Sequence, residues 1–382
     1  MRAKGSFLTI AVGAAGAITL LGQGQGQPAD PRRTPGVQAG QDPNRASFVM
    51  ANCRNLPTAP AGGGPVGGAR GGPGGPGGPG GGAGRGPATS QEYNVTAIPG
   101  VIAAGQRWKI LWEDTGNNAD GIVAMDDGSL LLAQNDKSDV IRIDKDGKAS
   151  VAYTDTYTGG ALAASSKGQL FIAERALPRS IWLLKPQRRL FADMKAGEPL
   201  ECLGPGVLND LAADSKGGVY MTMGGVYYAN PQGVVSGRYG TVGGNGIILS
   251  RDEKTLYVTG RVGANRGGGA AGGRGAGANG GLVAFDVQPD GSLMNERQFA
   301  DVCGDGSTVD AAGRIYCTGG PGGAIGVVSP EGKLLGAIPA PRNLISLAFG
   351  GPGKRTLYGV TIRDVQVMSI QMIAQGYKKR PK

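Results

Sequence analysis

One hairpin pattern recurs along this chain and constrains its fold more than any other feature. In its clearest copy, residues 245–259, a polar residue and a glycine open a short apolar strand, a charged turn follows, and a second strand is rich in β-branched and aromatic residues. The opening residues of the six copies are Asp120, Gly160, Asn209, Asn245, Asp305 and Ser346. Repetition of one hairpin predicts a fold built from repeated β units.

The spacing of the copies predicts the type of repeat. Successive openings are separated by 40, 49, 36, 60 and 41 residues. A propeller blade needs about 40 to 45 residues for four strands and three turns. The longest interval contains a glycine-rich insertion, 263–281, which is expected in an exposed loop between strands. We therefore predict an all-β fold, a six-bladed antiparallel β-propeller, whose last blade is completed by a strand at 95–98 or at 109–113.

The first residues of the chain have the composition of an export signal. Residues 1–24 carry Arg2 and Lys4, followed by an apolar run of 16 residues, which is short for a membrane span. This pattern predicts a signal peptide and a periplasmic or secreted protein with no transmembrane domain beyond the signal segment. An uncleaved anchor is the alternative, because no clear cleavage site follows the run.

The rest of the chain divides into a linker, a body and a tail. Residues 25–92 are rich in glycine and proline and predict a disordered N-terminal extension, in which 48–56 is the one stretch able to dock. The propeller is expected over 93–377, and 378–382 form a basic tail.

The net charge of +10 belongs to the ends of the chain. Residues 1–88 hold eight basic and two acidic residues, a net of +6, and the tail adds four basic residues, a net of +4. The body between them, 89–377, holds 27 residues of each sign. Its neutrality predicts no nucleic-acid partner, and the basic ends indicate at most adhesion to an anionic surface.

Histidine and cysteine contents limit the chemistry further. The chain has no histidine, which excludes a Ser-His-Asp triad, a histidine zinc site and a histidine general base. Its cysteines lack a C-x-x-C motif, which argues against a zinc or redox site; they are Cys53, Cys202, Cys303 and Cys317. In an exported protein they allow disulfides in three pairings, of which one joins Cys303 to Cys317 across a hairpin. Buried free thiols are the alternative.

The opening residues suggest a metal site. Equivalent positions of a propeller repeat lie at one level around the central channel, so the openings are expected to meet at its mouth. Two carboxylates and two amide carbonyls among them offer hard oxygen atoms: Asp120, Asn209, Asn245 and Asp305. Calcium accepts about six to eight oxygen ligands, and two negative charges balance one divalent cation. We predict a site for calcium or another divalent cation, with ordinary strand-entry turns as the alternative.

Several repeat strings resemble the gluconolactonase and regucalcin (senescence marker protein) family; they are VLNDLAADSKGGVYMT, GGNGIILSRDEKTLYVTG, DGSTVDAAGRIYCTG and LISLAFGGPGKRTLYGVT. The likeness covers about residues 100–365 and is most specific at the Asn-Asp, Asn-Gly and Asp-Gly strand entries. The resemblance implies a six-bladed propeller that holds a divalent cation, usually calcium, in its central tunnel and hydrolyses lactones or related esters. It also implies that Asn209, Asn245 and Asp305 are metal ligands and that Asp305 is the catalytic carboxylate.

The chain departs from the family in its first three blades. Asp120 stands where the family has a glutamate, and Gly160 where many gluconolactonases have an asparagine. Val207 replaces a regucalcin arginine, and Glu174-Arg175 stand where gluconolactonases read Glu-His. The resemblance therefore implies that the metal site is retained and that the residues around the substrate are altered.

These residues lead us to expect a calcium-dependent hydrolase of the gluconolactonase type, acting on a small-molecule lactone or ester. In this hypothesis the cation polarises the ester carbonyl and Asp305 takes a proton from the attacking water. Arg175 and Glu174 are predicted to bind substrate, with solvated positions on the rim as the alternative. The alternative function is a non-catalytic secreted binding or scaffold propeller with a structural cation. The sequence predicts no oligomeric state.

Overall fold

The computed structural model describes residues 42–55, 93–114, 118–204, 206–263, 280–341, 344–362 and 364–379. The predicted signal peptide, most of the predicted linker, most of the glycine-rich insertion and the last residues of the basic tail lie outside these ranges.

The described residues form one α-helix, α1 (Arg45–Asn52), and 26 strands. In chain order the strands are β1 (Lys109–Asp114), β2 (Ala119–Ala124), β3 (Leu130–Gln134), β4 (Asp139–Ile143), β5 (Ala149–Tyr153), β6 (Gly159–Ala164), β7 (Leu170–Glu174), β8 (Ser180–Lys185), β9 (Arg189–Ala192), β10 (Met194–Lys195), β11 (Glu198–Pro199), β12 (Leu211–Ala213), β13 (Val219–Thr222), β14 (Val226–Ala229), β15 (Val235–Tyr239), β16 (Ile247–Leu249), β17 (Thr255–Thr259), β18 (Leu282–Val287), β19 (Leu293–Ala300), β20 (Ser307–Val309), β21 (Ile315–Cys317), β22 (Ile325–Val328), β23 (Leu334–Ile338), β24 (Leu344–Gly350), β25 (Thr356–Thr361) and β26 (Val365–Gln371).

The strands form six four-stranded antiparallel blades and one small extra ribbon. Five blades take their strands in chain order, as β2–β5, β6–β9, β12–β15, β16–β19 and β20–β23, while β10 and β11 pair with each other. The sixth blade has the order β1-β26-β25-β24, in which Lys109 of β1 lies opposite Ser369 of β26. This pairing closes the ring. It confirms the six-bladed propeller and selects 109–113 as the closing strand.

The inner strands form a closed ring around the channel. Strands β2, β6, β12, β16, β20 and β24 contact one another in succession, and β24 returns to β2. An inner strand packs between those of the neighbouring blades, so β6 is buried along its whole length, whereas the outer strand β5 is mostly exposed. Six apolar clusters of described residues fill the spaces between neighbouring blades. Burial of this apolar surface holds the blades together.

Residues 42–55 dock beside blade two. Cys53 forms a disulfide with Cys202, with a Cα–Cα distance of 5.4 Å. Arg45 of α1 donates from Nε to the carboxylate of Glu201 at 3.2 Å and from Nη2 to the carbonyl of Gly204 at 2.7 Å. The stretch 48–56, which the sequence identified as able to dock, overlaps this docked segment.

A second disulfide joins Cys303 to Cys317, so all four cysteines are paired. It spans the first hairpin of blade five, where Cys317 lies opposite Ser307 in the ladder. The sequence left open disulfides or buried free thiols, and the structure has two disulfides. Among the described helices, none has the length and apolar character needed to span a bilayer.

Candidate functional site

The glycines at the blade entries allow neighbouring inner strands to approach each other closely. A β-carbon on Gly246 would overlap the backbone carbonyl of Asp305, and one on Gly306 would overlap that of Ile345. Neither glycine has a positive φ, so it is the close approach of the next inner strand that requires glycine there. Asn245 and Asp305, which precede these glycines, stand just before the neighbouring inner strands β16 and β20, and we call this end of the ring the channel mouth.

Arg175 connects three blades at the channel mouth. Its Nη2 lies 2.6 Å from Oδ2 of Asp120 in blade one, and its side chain is only 5% exposed. Toward blade three, Nε donates to the carbonyl of Leu208 at 2.8 Å, and Nη2 donates to the carbonyl of Asn209. The arginine that was predicted to bind substrate is therefore held by three acceptors of the protein, the Asp120 carboxylate and two backbone carbonyls.

Two further residues surround the Arg175 guanidinium. Asn135 follows β3 as Arg175 follows β7. In the amide orientation that satisfies both ends, its oxygen accepts from Nη1 of Arg175 at 3.2 Å and its nitrogen donates to the Gly159 carbonyl at 2.8 Å. Gly160 leaves the space that the guanidinium fills. Sequence analysis did not identify Asn135, although the repeat register at the ends of the second strands would have done so.

Glu174 has a different environment from its neighbour Arg175. Its side chain has 0% exposure and forms an ion pair with Arg188, with Nη2 and Oε1 3.3 Å apart. Arg188 also lies over the ring of Trp182, with 5.5 Å between Cζ and the ring centroid, and donates to the Thr154 carbonyl at 2.7 Å. Glu174 is thus buried and paired within the protein, and its contact with substrate stays a prediction.

The side-chain amide of Asn245 is satisfied at its nitrogen but not at its oxygen. Its Nδ2 donates to the carbonyl of Gly304 in blade five at 3.3 Å, which fixes the amide. Its Oδ1 is buried and has no hydrogen-bond partner. A buried acceptor without a donor costs about 1–3 kcal/mol, and a cation can satisfy such an oxygen. Asp305 follows Gly304 directly and packs its carbonyl against Gly246.

Direct contacts link the entries of blades three and four. Asp210, beside Asn209, accepts from its own neighbour Leu211 and, through Oδ2, from the backbone N–H of Ile247 at 3.0 Å. The entry of blade four in turn packs against that of blade five. Together with the Arg175 contacts, these bonds connect the entries of blades one, three, four and five, while shared coordination by the four predicted ligand side chains stays a prediction.

Three of the predicted ligands carry donor atoms of the kind that a hard cation binds. Asn209, Asn245 and Asp305 offer two amide oxygens and one carboxylate, whereas the carboxylate of Asp120 is paired with Arg175. In the described part of the chain, no three histidine, cysteine, aspartate or glutamate side chains are grouped closely enough to hold a metal ion. A cation at the mouth therefore depends on the asparagine oxygens.

A small apolar cavity lies among the inner strands. Blades two to four enclose a cavity of about 10 Å³ lined by small and aliphatic residues: Ala163, Ala164, Leu211, Ala212, Ala213, Ile247 and Ile248.

Comparisons with known proteins agree with this architecture. A family model described as the SMP-30/Gluconolactonase/LRE-like region matches residues 160–363, and blade one with Asp120 lies outside the match. No curated protein sequence matches the chain.

Similar solved structures include a gluconolactonase from Xanthomonas campestris, with a TM-score of 0.60 and 22% identity over 75% of this chain and 96% of that one. A putative gluconolactonase has a TM-score of 0.59 and 19% identity over 75% and 99% of the two chains. A calcium-binding protein, regucalcin, from Agrobacterium tumefaciens has a TM-score of 0.52 and 18% identity over 72% and 97%. At these identities the shared property is the fold.

Proposed function

Because this chain belongs to the SMP-30/gluconolactonase/LRE-like family, we propose that it is a hydrolase that opens a lactone or a related ester at the channel mouth. The observation that carries the proposal is the buried, unpartnered Oδ1 of Asn245 beside the entry of blade five, where Asp305 lies. A buried acceptor without a donor, at the contact between blades four and five, supports the presence of a ligand-binding site there.

Asn209, Asn245 and Asp305 would hold a divalent cation, for which calcium is the first choice because amide and carboxylate oxygens suit it. A cation bound there would polarise the ester carbonyl and stabilise negative charge that develops on it. Asp305 accepts a proton from the attacking water and returns it to the leaving alkoxide oxygen.

A non-catalytic binding propeller is the second candidate. It is favoured by Arg175 and Glu174, whose charged groups are engaged by Asp120 and by Arg188 within the protein. In that case a cation would only tie the blades together.

Proton release separates the two candidates. Opening a lactone yields a hydroxy acid that ionises at neutral pH, so a pH-stat follows turnover directly. We expect the full-length protein to open at least one member of a panel of γ- and δ-aldonolactones in the presence of calcium, and to lose this activity with a chelator. If no lactone or aryl ester is hydrolysed and calcium changes only the melting temperature, the protein is the binding propeller and the proposed function is wrong.

A further inference from the structure

We propose that Arg175 is a built-in counter-cation that removes Asp120 from the metal site, so that Asn209, Asn245 and Asp305 alone hold a divalent cation. The inference rests on the cation site of the proposed function and concerns how tightly that site binds. It assigns Arg175 a role that differs from contact with substrate.

The hydrogen bonds of Arg175 show that it is committed to the protein. Its guanidinium pairs with Asp120 at 2.6 Å and donates to the carbonyls of Leu208 and Asn209, and only 5% of the side chain is exposed. Charge-assisted hydrogen bonds of this kind are strong, and a buried guanidinium that loses its carboxylate is left uncompensated. A cation that recruited Asp120 would have to break this pair.

The space for the guanidinium is also built into the fold. A β-carbon on Gly160 would overlap Cζ, Nε and Nη1 of Arg175, so the arginine can occupy its position only when residue 160 has no side chain. Blade two therefore contributes no ligand from its entry residue. It contributes a positive charge from the end of its second strand instead.

This positive charge changes the electrostatics of the mouth. Asp120 and Asp305 contribute −1 each and Arg175 contributes +1. The formal charge of these three side chains is therefore −1, whereas the two carboxylates alone would give −2. Calcium affinity depends on the charge of the ligand set, so the fixed guanidinium lowers the affinity for a divalent cation.

Calorimetric titration of calcium into chelator-treated, full-length protein tests the proposal. We expect Arg175→Gln to bind calcium at least about tenfold more tightly than the wild type, because the variant frees Asp120 and restores a formal charge of −2. Arg142→Gln is the matched control, since it removes an arginine that pairs with Asp127, an aspartate of the same blade, at 2.7 Å. Because Asp127 lies beyond the far end of β2 from Asp120, the control is expected to change the affinity by less than about twofold.

Equal or weaker binding by Arg175→Gln, or no binding by either protein, would overturn the proposal. If Arg175→Gln does not fold, a crystal structure of the wild type grown with calcium decides. Calcium on Asn209, Asn245 and Asp305 with Asp120 still on Arg175 supports the proposal; calcium on Asp120, or none at the other three residues, contradicts it. Binding is measured without substrate, so a protein that binds calcium as predicted but opens no lactone contradicts only the proposed function.

Discussion

Arg175 lies in the space that a side chain on Gly160 would fill, so the glycine at the entry of blade two and the arginine at the end of its second strand form a structural pair. In this position Arg175 bonds both the Asp120 carboxylate and the Asn209 carbonyl. The absence of a side chain at residue 160 therefore lets a positive charge lie beside Asp120.

Gly160→Ala is expected to displace the Arg175 guanidinium and to lower the free energy of unfolding by about 2–4 kcal/mol, because several hydrogen bonds of a charged group are lost. Gly326→Ala is the matched control, since a β-carbon there would make only ordinary contacts, the shortest at 3.5 Å to Sγ of Cys317. Urea titration of both variants measures the difference. Equal stability of the two variants would show that Arg175 is not held as described.

The disulfide of the docked segment is expected to stabilise the fold mainly by restricting the unfolded chain. Cys53 and Cys202 are separated by 149 positions, for which the chain-entropy model gives an upper value of about 5 kcal/mol. The pair Cys303–Cys317, separated by 14, gives about 3 kcal/mol. We expect the double serine variant of the first pair to lose more stability in urea titration than that of the second. The reverse order would contradict this account.

Glu201 ties the docked helix to a buried arginine. Its carboxylate lies 3.2 Å from Nε of Arg45 and 3.3 Å from Nε of Arg179, whose side chain is 2% exposed. Burial lowers the pKa of Arg179 to about 10, partly offset by the charge of Glu201.

Removing the Glu201 charge should therefore be costly. Glu201→Gln leaves the Arg179 guanidinium without its counter-charge, and we expect a loss of about 3–5 kcal/mol in the free energy of unfolding. The control Arg261→Gln breaks an exposed pair with Asp301 and should cost less than about 1 kcal/mol. Similar values for the two variants would contradict the assignment of Glu201 to the buried network.

Lys354 provides a prediction for pH. Its Nζ is buried without a hydrogen-bond partner, and its ion-pair partner Asp126 lies 4.0 Å away with a largely exposed side chain. Burial lowers the pKa of Lys354 below its ordinary value of 10.5. Between the folded and unfolded pKa values the unfolded chain binds more protons, so this group makes the wild type more stable as pH rises through that window.

Lys354→Met removes the buried charge and should raise the free energy of unfolding at neutral pH by about 1 kcal/mol. The advantage of the variant over the wild type should shrink as pH approaches 10.5, because the wild-type lysine then loses its charge. Urea titrations at neutral and alkaline pH compare the two proteins. A difference that stays constant with pH would exclude the lysine charge as its cause.

The blade pattern could be predicted because the first hairpin of each blade is local and its apolar strands repeat. The closing contact could be narrowed only to two alternatives, since β1 pairs with β26 from the other end of the chain. The docking of α1 could not be predicted beyond a candidate stretch. It depends on Cys53 meeting Cys202, and composition alone does not select that pairing.

The membership of the candidate site stays a prediction of the sequence, and the bonding of Arg175 could not be predicted from it. The repeat register predicts that Asp120, Asn209, Asn245 and Asp305 meet at the mouth, and it places Arg175 directly after β7. The acceptors that hold Arg175 include the backbone carbonyls of Leu208 and Asn209, which leave no signal in side-chain identity.

The most direct test of the central claim is the rate of lactone opening by Asp305→Asn, measured in a pH-stat on the lactone that the wild type opens fastest. Asp301→Asn is the control, because this nearby aspartate is 75% exposed and pairs with Arg261. The account predicts that Asp305→Asn lowers kcat/KM by at least about a hundredfold while its melting temperature stays near that of the wild type, with Asp301→Asn unchanged. A wild-type rate in Asp305→Asn would contradict it.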